Sequence, residues 1–161
     1  MARLALEGLE ERCLLAVSIR EFLIPTPGAF PSSITAGPDG NLWFMDSSDQ
    51  IGRITPAGVT VEFPIPNFPG ADSSWYGGMT TGPDGNLWFA ISSLNPAYPG
   101  RIGRITPAGD VTEFATHSEP NQITVGPDGN LWFTADFAIG RGRGRSQPAG
   151  AAQPRLGNGR F

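Results

Sequence analysis

An eight-residue segment, Gly-Pro-Asp-Gly-Asn-Leu-Trp-Phe, occurs three times in this chain, at residues 37–44, 82–89 and 126–133. The copies begin 45 and 44 residues apart, and such a period is typical of stacked repeats and propeller blades. In each copy the proline presets φ for a turn, and the second glycine takes the left-handed conformation that returns the chain as a hairpin. Short runs of β-branched or aromatic residues flank each turn, which predicts a β-hairpin.

Two further motifs complete each repeat unit. The sequence Ile-Gly-Arg-Ile-Thr-Pro-Ala-Gly at residues 51–58 returns unchanged at 102–109 and contains a second type I turn. A strand that carries Glu-Phe follows at residues 59–66 and 111–114, and residues 18–25 align with it as a further strand. Four strands in a unit of this length are the content of one propeller blade. The sequence therefore predicts an all-β propeller of four-stranded antiparallel blades, about three of which are present.

The blade repeats cover residues 18–141 and separate two segments of different character. In residues 1–17 leucines and other apolar residues recur at helical intervals, which predicts a short amphipathic helix that leads into the first blade. Residues 142–161 are rich in Arg, Gly, Pro and Ala and are predicted to be disordered. An Arg-Gly tract can bind RNA, but we favour a degraded or frame-shifted continuation because the change falls inside an established repeat.

Charge and composition exclude several classes of function. The net charge of −4 hides an asymmetry, because residues 141–161 hold five arginines and no acid, which leaves a net −9 on residues 1–140. The repeat body is therefore not expected to bind nucleic acid by neutralising phosphates. Cys13 is the one cysteine, so neither an internal disulfide nor a cysteine-based zinc site is expected. No apolar run reaches the roughly 20 residues of a membrane helix, and charges interrupt any signal-peptide core, so we expect no membrane association and a cytoplasmic location.

The repeated aromatic and basic residues have a structural interpretation. Trp43, Trp88 and Trp132 lie in strands that are apolar on both faces, as expected for the middle strand of a blade covered by neighbours on each side. We therefore predict that they are core residues. Arg53 and Arg104 are predicted to bond to neighbouring turn aspartates or carbonyl groups rather than to substrate.

Together, the octapeptide, the Ile-Gly-Arg-Ile-Thr-Pro-Ala-Gly motif and the Glu-Phe strand strongly resemble the repeat of the virginiamycin B lyases, also called streptogramin lyases. The resemblance covers about residues 18–141. It implies a seven-bladed propeller. The three blades present here would be only part of such a ring. It also implies an antibiotic-resistance activity, in which a cyclic depsipeptide of the streptogramin B class is linearised by a magnesium-dependent elimination across its ester linkage.

The same resemblance implies where the catalytic groups should stand. Family members supply them from a Glu-Pro-His-Gly-Ile loop and from a glutamate two residues past a Trp-Phe pair. In the third unit here Glu119 matches a metal carboxylate, but Asn121 stands where the base histidine should be and Ala135 replaces the glutamate. Asp46 takes the glutamate position in the first unit, whereas Ile91 takes it in the second. No unit holds a complete catalytic set.

Three other residues are candidates near the expected site. His117, the single histidine, is either a displaced base or a solvated loop residue. Trp75 and Tyr76 occupy the equivalent loop of the second unit and would suit an apolar cyclic peptide, although a packing role fits them equally. With these residues, Asn121 is a candidate ligand contact and Glu119 a candidate magnesium ligand.

Three hypotheses for function follow. The chain is a fragment of a streptogramin B-inactivating carbon–oxygen lyase that is not active alone, a non-catalytic binding or scaffolding propeller, or the remnant of a disrupted gene. In each case the outer faces of the first and last blades are uncovered, so we expect a weakly stable protein or one that associates with itself.

Overall fold

A computed structural model describes residues 19–66, 74–93, 100–136 and 138–142, and it describes the side chains of these residues except at 74–76. The predicted N-terminal helix, and the predicted tail of residues 142–161 except Gly142, lie outside the described residues, whereas Gly142 ends a strand. All regular elements among the described residues are strands.

Eleven strands form three antiparallel sheets, which we call the first, second and third sheets. In chain order the strands are β1 (Pro31–Ala36), β2 (Leu42–Asp46), β3 (Gln50–Ile54), β4 (Thr60–Pro64), β5 (Ser74–Thr81), β6 (Leu87–Ser93), β7 (Arg101–Ile105), β8 (Val111–Ala115), β9 (Pro120–Val125), β10 (Leu131–Ala135) and β11 (Ala138–Gly142). The first sheet holds β1 to β4, the second β5 to β8 and the third β9 to β11, each in sequence order. The prediction of four-stranded antiparallel blades is confirmed for the first two units, and three strands of the third are described.

The octapeptide forms a turn that is bonded to its own strand. Asp39 Oδ1 accepts hydrogen bonds from the Trp43 indole at 2.9 Å and from the Asn41 backbone at 3.2 Å, while Oδ2 accepts from Asn41 Nδ2 at 2.8 Å. Gly40 has φ of 76°, a conformation that a side chain disfavours. The same bonds recur in the other two copies.

Two glycines of each unit leave room for aromatic rings. A Cβ atom added at Gly37 would overlap the Trp43 indole, and one at Gly52 would overlap the Phe44 ring that lies across the β2–β3 pair from it. Equivalent overlaps occur in the second and third sheets. The aromatic side chains therefore lie directly on backbone, and the repeated sequence builds the sheet rather than a site.

The sheets stack face to face around two clusters of buried side chains. The first cluster lies between the first and second sheets, and its buried members are Trp43, Met45, Ile51, Ile65, Met79, Leu87, Phe89, Ile91 and Ile105. The second cluster lies between the second and third sheets, and its buried members are Trp88, Ala90, Ile102, Ile123, Leu131 and Phe133. Together the two clusters form the core of the described fold.

Alternate residues of β6 serve the two clusters, as the two-residue period of a strand requires. Leu87 and Phe89 belong to the first cluster and Trp88 to the second, so the second sheet is covered on both faces. This confirms the prediction for Trp43 and Trp88, which are both buried. Trp132 is only half-buried, because no described segment covers the outer face of the third sheet.

The repeated arginines have structural contacts. Arg53 Nη1 donates to the carbonyl oxygen of Pro107 in the second sheet at 3.1 Å and lies 3.7 Å from Asp39 Oδ2, as predicted. Arg104 Nη2 instead donates to Thr112 Oγ1 at 3.3 Å. Both guanidinium groups lie over a tryptophan of their own sheet.

One predicted strand is absent from the described fold. Residues 19–25 align with β4 and β8 in sequence, but they form no strand and take part in no backbone hydrogen bond between described residues. The prediction of a strand there was wrong for this structure, since a strand requires a neighbour that supplies hydrogen bonds. Phe22 nevertheless packs its ring against Gly58.

Candidate functional site

The candidate catalytic histidine and metal ligand lie in one connection, between β8 and β9. Thr116 anchors this connection, because its backbone N–H donates to the Gly100 carbonyl at 2.9 Å and its hydroxyl donates to the Ser118 carbonyl at 2.6 Å. His117 follows as an exposed residue. The structure therefore places His117 in solvent two residues before Glu119, and its role as a base stays a prediction.

Glu119 uses both of its carboxylate oxygens in bonds to backbone. Oε2 accepts from the Ser93 N–H at 2.6 Å, and Oε1 accepts from the Gly100 N–H at 3.1 Å. Ser93 ends β6 and Gly100 immediately precedes β7, so the carboxylate joins the two ends of the β6–β7 connection to the third sheet. Both oxygens of this carboxylate therefore already have hydrogen-bond donors without a metal ion.

The candidate ligand contacts lie on two adjacent strands. Asn121 is exposed in β9, and its backbone carbonyl lies so close to Gly77 of β5 that a Cβ atom there would overlap it. Trp75 and Tyr76 precede Gly77 in the same strand, but their side chains lie outside the described part of the structure. The fold thus brings together the strands that carry these three residues.

A buried carboxylate in the first sheet adds to the predicted set. Asp46 ends β2 and is fully buried. Its Oδ1 accepts from the Ser48 backbone at 2.6 Å and from the Ser48 hydroxyl, whereas Oδ2 is buried without a hydrogen-bond partner. Buried polar atoms are normally hydrogen-bonded. The sequence signal for Asp46 was its place at the glutamate position of the family pattern, where the other units carry Ile91 and Ala135.

These carboxylates do not make a magnesium site by themselves. Mg²⁺ prefers octahedral coordination by oxygen, and no group of three His, Cys, Asp or Glu side chains that could hold a metal ion occurs among the described residues. Glu119 is the one family-matched carboxylate of the third unit, and its oxygens are engaged with backbone. The described residues therefore do not fit the metal that the family pattern implies.

Within the described ranges, no helix has the length and hydrophobicity needed to cross a bilayer.

Comparison with known proteins gives consistent matches. The family model described as the virginiamycin B lyase family matches residues 11–135. Virginiamycin B lyase from Saccharopolyspora erythraea is 51% identical over 43 residues, which are 26% of this chain and 14% of that protein.

Two solved structures match over most of the chain. Selenomethionine-substituted virginiamycin B lyase from Staphylococcus aureus aligns with a TM-score of 0.64 and 38% identity, over 76% of this chain and 41% of that one. A streptogramin B lyase structure aligns with a TM-score of 0.63 and 33% identity, over 77% of this chain and 41% of that one. The chain thus spans less than half the length of these relatives.

Proposed function

Because this chain belongs to the virginiamycin B lyase family, we propose that it supplies propeller blades of a streptogramin B-inactivating carbon–oxygen lyase and does not complete the lyase site alone. The proposed substrate is a cyclic depsipeptide of the streptogramin B class. The proposed reaction is the ring-opening elimination that the repeat pattern implies, with antibiotic resistance as its result. A magnesium requirement and a cytoplasmic location are parts of the same proposal.

The hydrogen bonds of Glu119 support the proposal that this chain does not complete the lyase site alone. An elimination needs a base within reach of the proton α to a carbonyl and a positive charge that stabilises the anion that develops. Both oxygens of Glu119 accept backbone N–H groups, and the amide of Asn121 cannot take up a proton at neutral pH. His117 is exposed two residues away. None of these three residues is therefore placed to supply both the base and the positive charge.

The strands β5 and β9 are the proposed contact for substrate. They lie side by side and carry Trp75, Tyr76 and Asn121. Aromatic residues and an amide residue on neighbouring strands are residue types that suit an apolar peptide with a few polar groups. In this proposal the chain contributes binding surface, and the base and metal ligands come from other blades.

The test is a conversion assay with the purified chain. We expect no ring-opened product by mass spectrometry after incubation with a streptogramin B and MgCl₂, with or without EDTA, while the Staphylococcus aureus virginiamycin B lyase converts the same sample. EDTA-sensitive conversion by this chain would overturn the claim that its site is incomplete. In that event His117→Ala and Glu119→Gln would show whether either residue takes part.

A non-catalytic binding or scaffolding module is the alternative, and the backbone bonds of Glu119 favour it over a displaced active site. Binding of a streptogramin B without conversion, measured by calorimetry, is expected under both proposals. Absence of binding would reject the role for β5 and β9 and leave a purely structural module or the remnant of a disrupted gene.

A further inference from the structure

The first sheet exposes part of the face that is covered in the second and third sheets, although Phe44 on that face is 5% exposed. In the second and third sheets Met79 and Ile123 pack against the preceding sheet and are only 7% and 6% exposed, but the equivalent Ile34 of the first sheet is 65% exposed. Leu42 shows the same contrast with its buried equivalent Leu87. This surface is therefore shaped to receive a preceding sheet.

The third sheet exposes the opposite face. Ile51 and Ile102 pack toward the following sheet and are 0% and 5% exposed, but the equivalent Ile139 is 73% exposed. Trp132, which corresponds to the buried Trp43, is half-buried. The equivalent surfaces of the first and second sheets each pack against the sheet that follows them.

The segment of residues 19–25 shows how a preceding sheet would be placed. In the second sheet, Gly109 receives the ring of Phe63 from β4, the fourth strand of the sheet before it. In the first sheet, Gly58 receives Phe22 in the same way. Residues 19–25 therefore occupy the position that the fourth strand of a preceding sheet would take. The first three strands of such a sheet are not among the described residues.

The third sheet has the complementary gap. Its described strands end at β11, whereas the other sheets have a fourth strand paired to the equivalent β3 or β7. Among the described residues, no strand pairs with the outer edge of β11, which is where a fourth strand would lie.

We propose that copies of this chain associate head to tail, so that the third sheet of one copy covers the first sheet of the next. Residues 19–25 of the second copy then pair with β11 of the first copy by strand addition. The existing sheets fix the register of this pairing, because Ile51 pairs with Phe63 and Ile102 with Phe114. The equivalent pair between copies is Ile139 of the first copy with Phe22 of the second. The contact is heterologous, since each copy uses two different surfaces.

Paired surface variants test this arrangement. Ile34→Asp charges the face of the first sheet, and Ile139→Asp charges the face of the third sheet. In sedimentation velocity over a concentration series we expect wild type to associate, and each variant alone to associate about tenfold or more weakly. An equimolar mixture of the two variants should form dimers, because one unmodified pair of surfaces remains.

The control is Thr112→Asp, which adds the same charge at an exposed position of the second sheet and should associate like wild type. Thermal unfolding by circular dichroism should show that all variants are folded, since the altered side chains are largely exposed. A monomeric wild type, a mixture that stays monomeric, or a variant that alone associates like wild type would overturn the proposal.

A disulfide cross-link tests the strand pairing separately, in a Cys13→Ser background. The equivalent pairs Arg53 with Val61 and Arg104 with Thr112 place Arg141 opposite Arg20 of the second copy. Mixed Arg20→Cys and Arg141→Cys chains should form a covalent dimer on mild oxidation. Glu21→Cys, which points to the other face of the strand, should cross-link much less, and equal yields would reject the register.

Discussion

Three leucines occupy the same position in the three sheets and differ in what covers them. Leu87 and Leu131 are buried against a preceding sheet, whereas Leu42 is 41% exposed. Replacing each by alanine measures what stacking contributes to stability, because the local turn and strand are the same in all three. We expect Leu87→Ala and Leu131→Ala to destabilise the chain strongly and Leu42→Ala to have a smaller effect.

The magnitudes follow from burial. Leucine-to-alanine removes three carbon atoms, worth roughly 2.4 kcal/mol when fully buried at about 0.8 kcal/mol each. At Leu87 a cavity also remains, which raises the expected cost to about 3–5 kcal/mol. At Leu42 only about three-fifths of the side chain is buried and solvent fills the space, so we expect roughly 1.4 kcal/mol.

The assay is urea unfolding at pH 7 with the m-value compared across variants. It should be run at a protein concentration at which sedimentation shows a monomer, since association through the first sheet would cover Leu42. Equal losses for Leu42→Ala and Leu87→Ala would refute the stacking interpretation. A loss at Leu131 as small as that at Leu42 would show that the third sheet does not pack on the second in solution.

Three other perturbations address single contacts. Bonds from Trp132 and Asn130 lower the pKa of Asp128 from 3.8 to about 2, so its stabilising effect is complete above about pH 4 and is lost as the pH falls through 2. Asp128→Asn should therefore lower the thermal midpoint at pH 7 and change it little at pH 2; an equal change at both would reject the role of charge. Gly103→Ala places a Cβ atom in the Phe89 ring and should cost about 1–3 kcal/mol in urea unfolding, whereas a neutral result would contradict that contact. Glu119→Gln should cost about 1.5–3 kcal/mol, and MgCl₂ should leave the wild-type thermal midpoint unchanged; a magnesium-induced rise that the variant loses would identify a metal ligand instead.

The hairpins could be predicted from sequence because their determinants are local. The turn aspartate, its glycine and the indole it binds all lie within eight residues, as in Asp39, Gly40 and Trp43. The stacking also followed from sequence, since strands apolar on both faces require cover on both faces. The failure at residues 19–25 has the opposite cause, because strand formation there depends on a partner that the local sequence does not contain.

The hydrogen bonds and burial of the candidate site residues could not be predicted from local sequence. Glu119 matched a metal ligand by position, but its bonds are to Ser93 and Gly100, 26 and 19 residues earlier in the chain. These bonds depend on where two connections meet in space. The burial of Asp46 likewise depends on the packed fold, so its unpartnered oxygen has no signature in sequence beyond a polar residue among apolar equivalents.

The separation of the core into two clusters has a consequence for how mutational effects combine. The clusters share no residue among those described, and each joins only two sheets. Free-energy changes from a substitution in the first cluster, such as Met45→Ala, and one in the second, such as Phe133→Ala, should therefore add, as in a linear array with nearest-neighbour coupling. Coupling between the clusters would have to pass through the backbone of the second sheet, which makes that sheet the element whose rigidity determines whether the array unfolds as one unit.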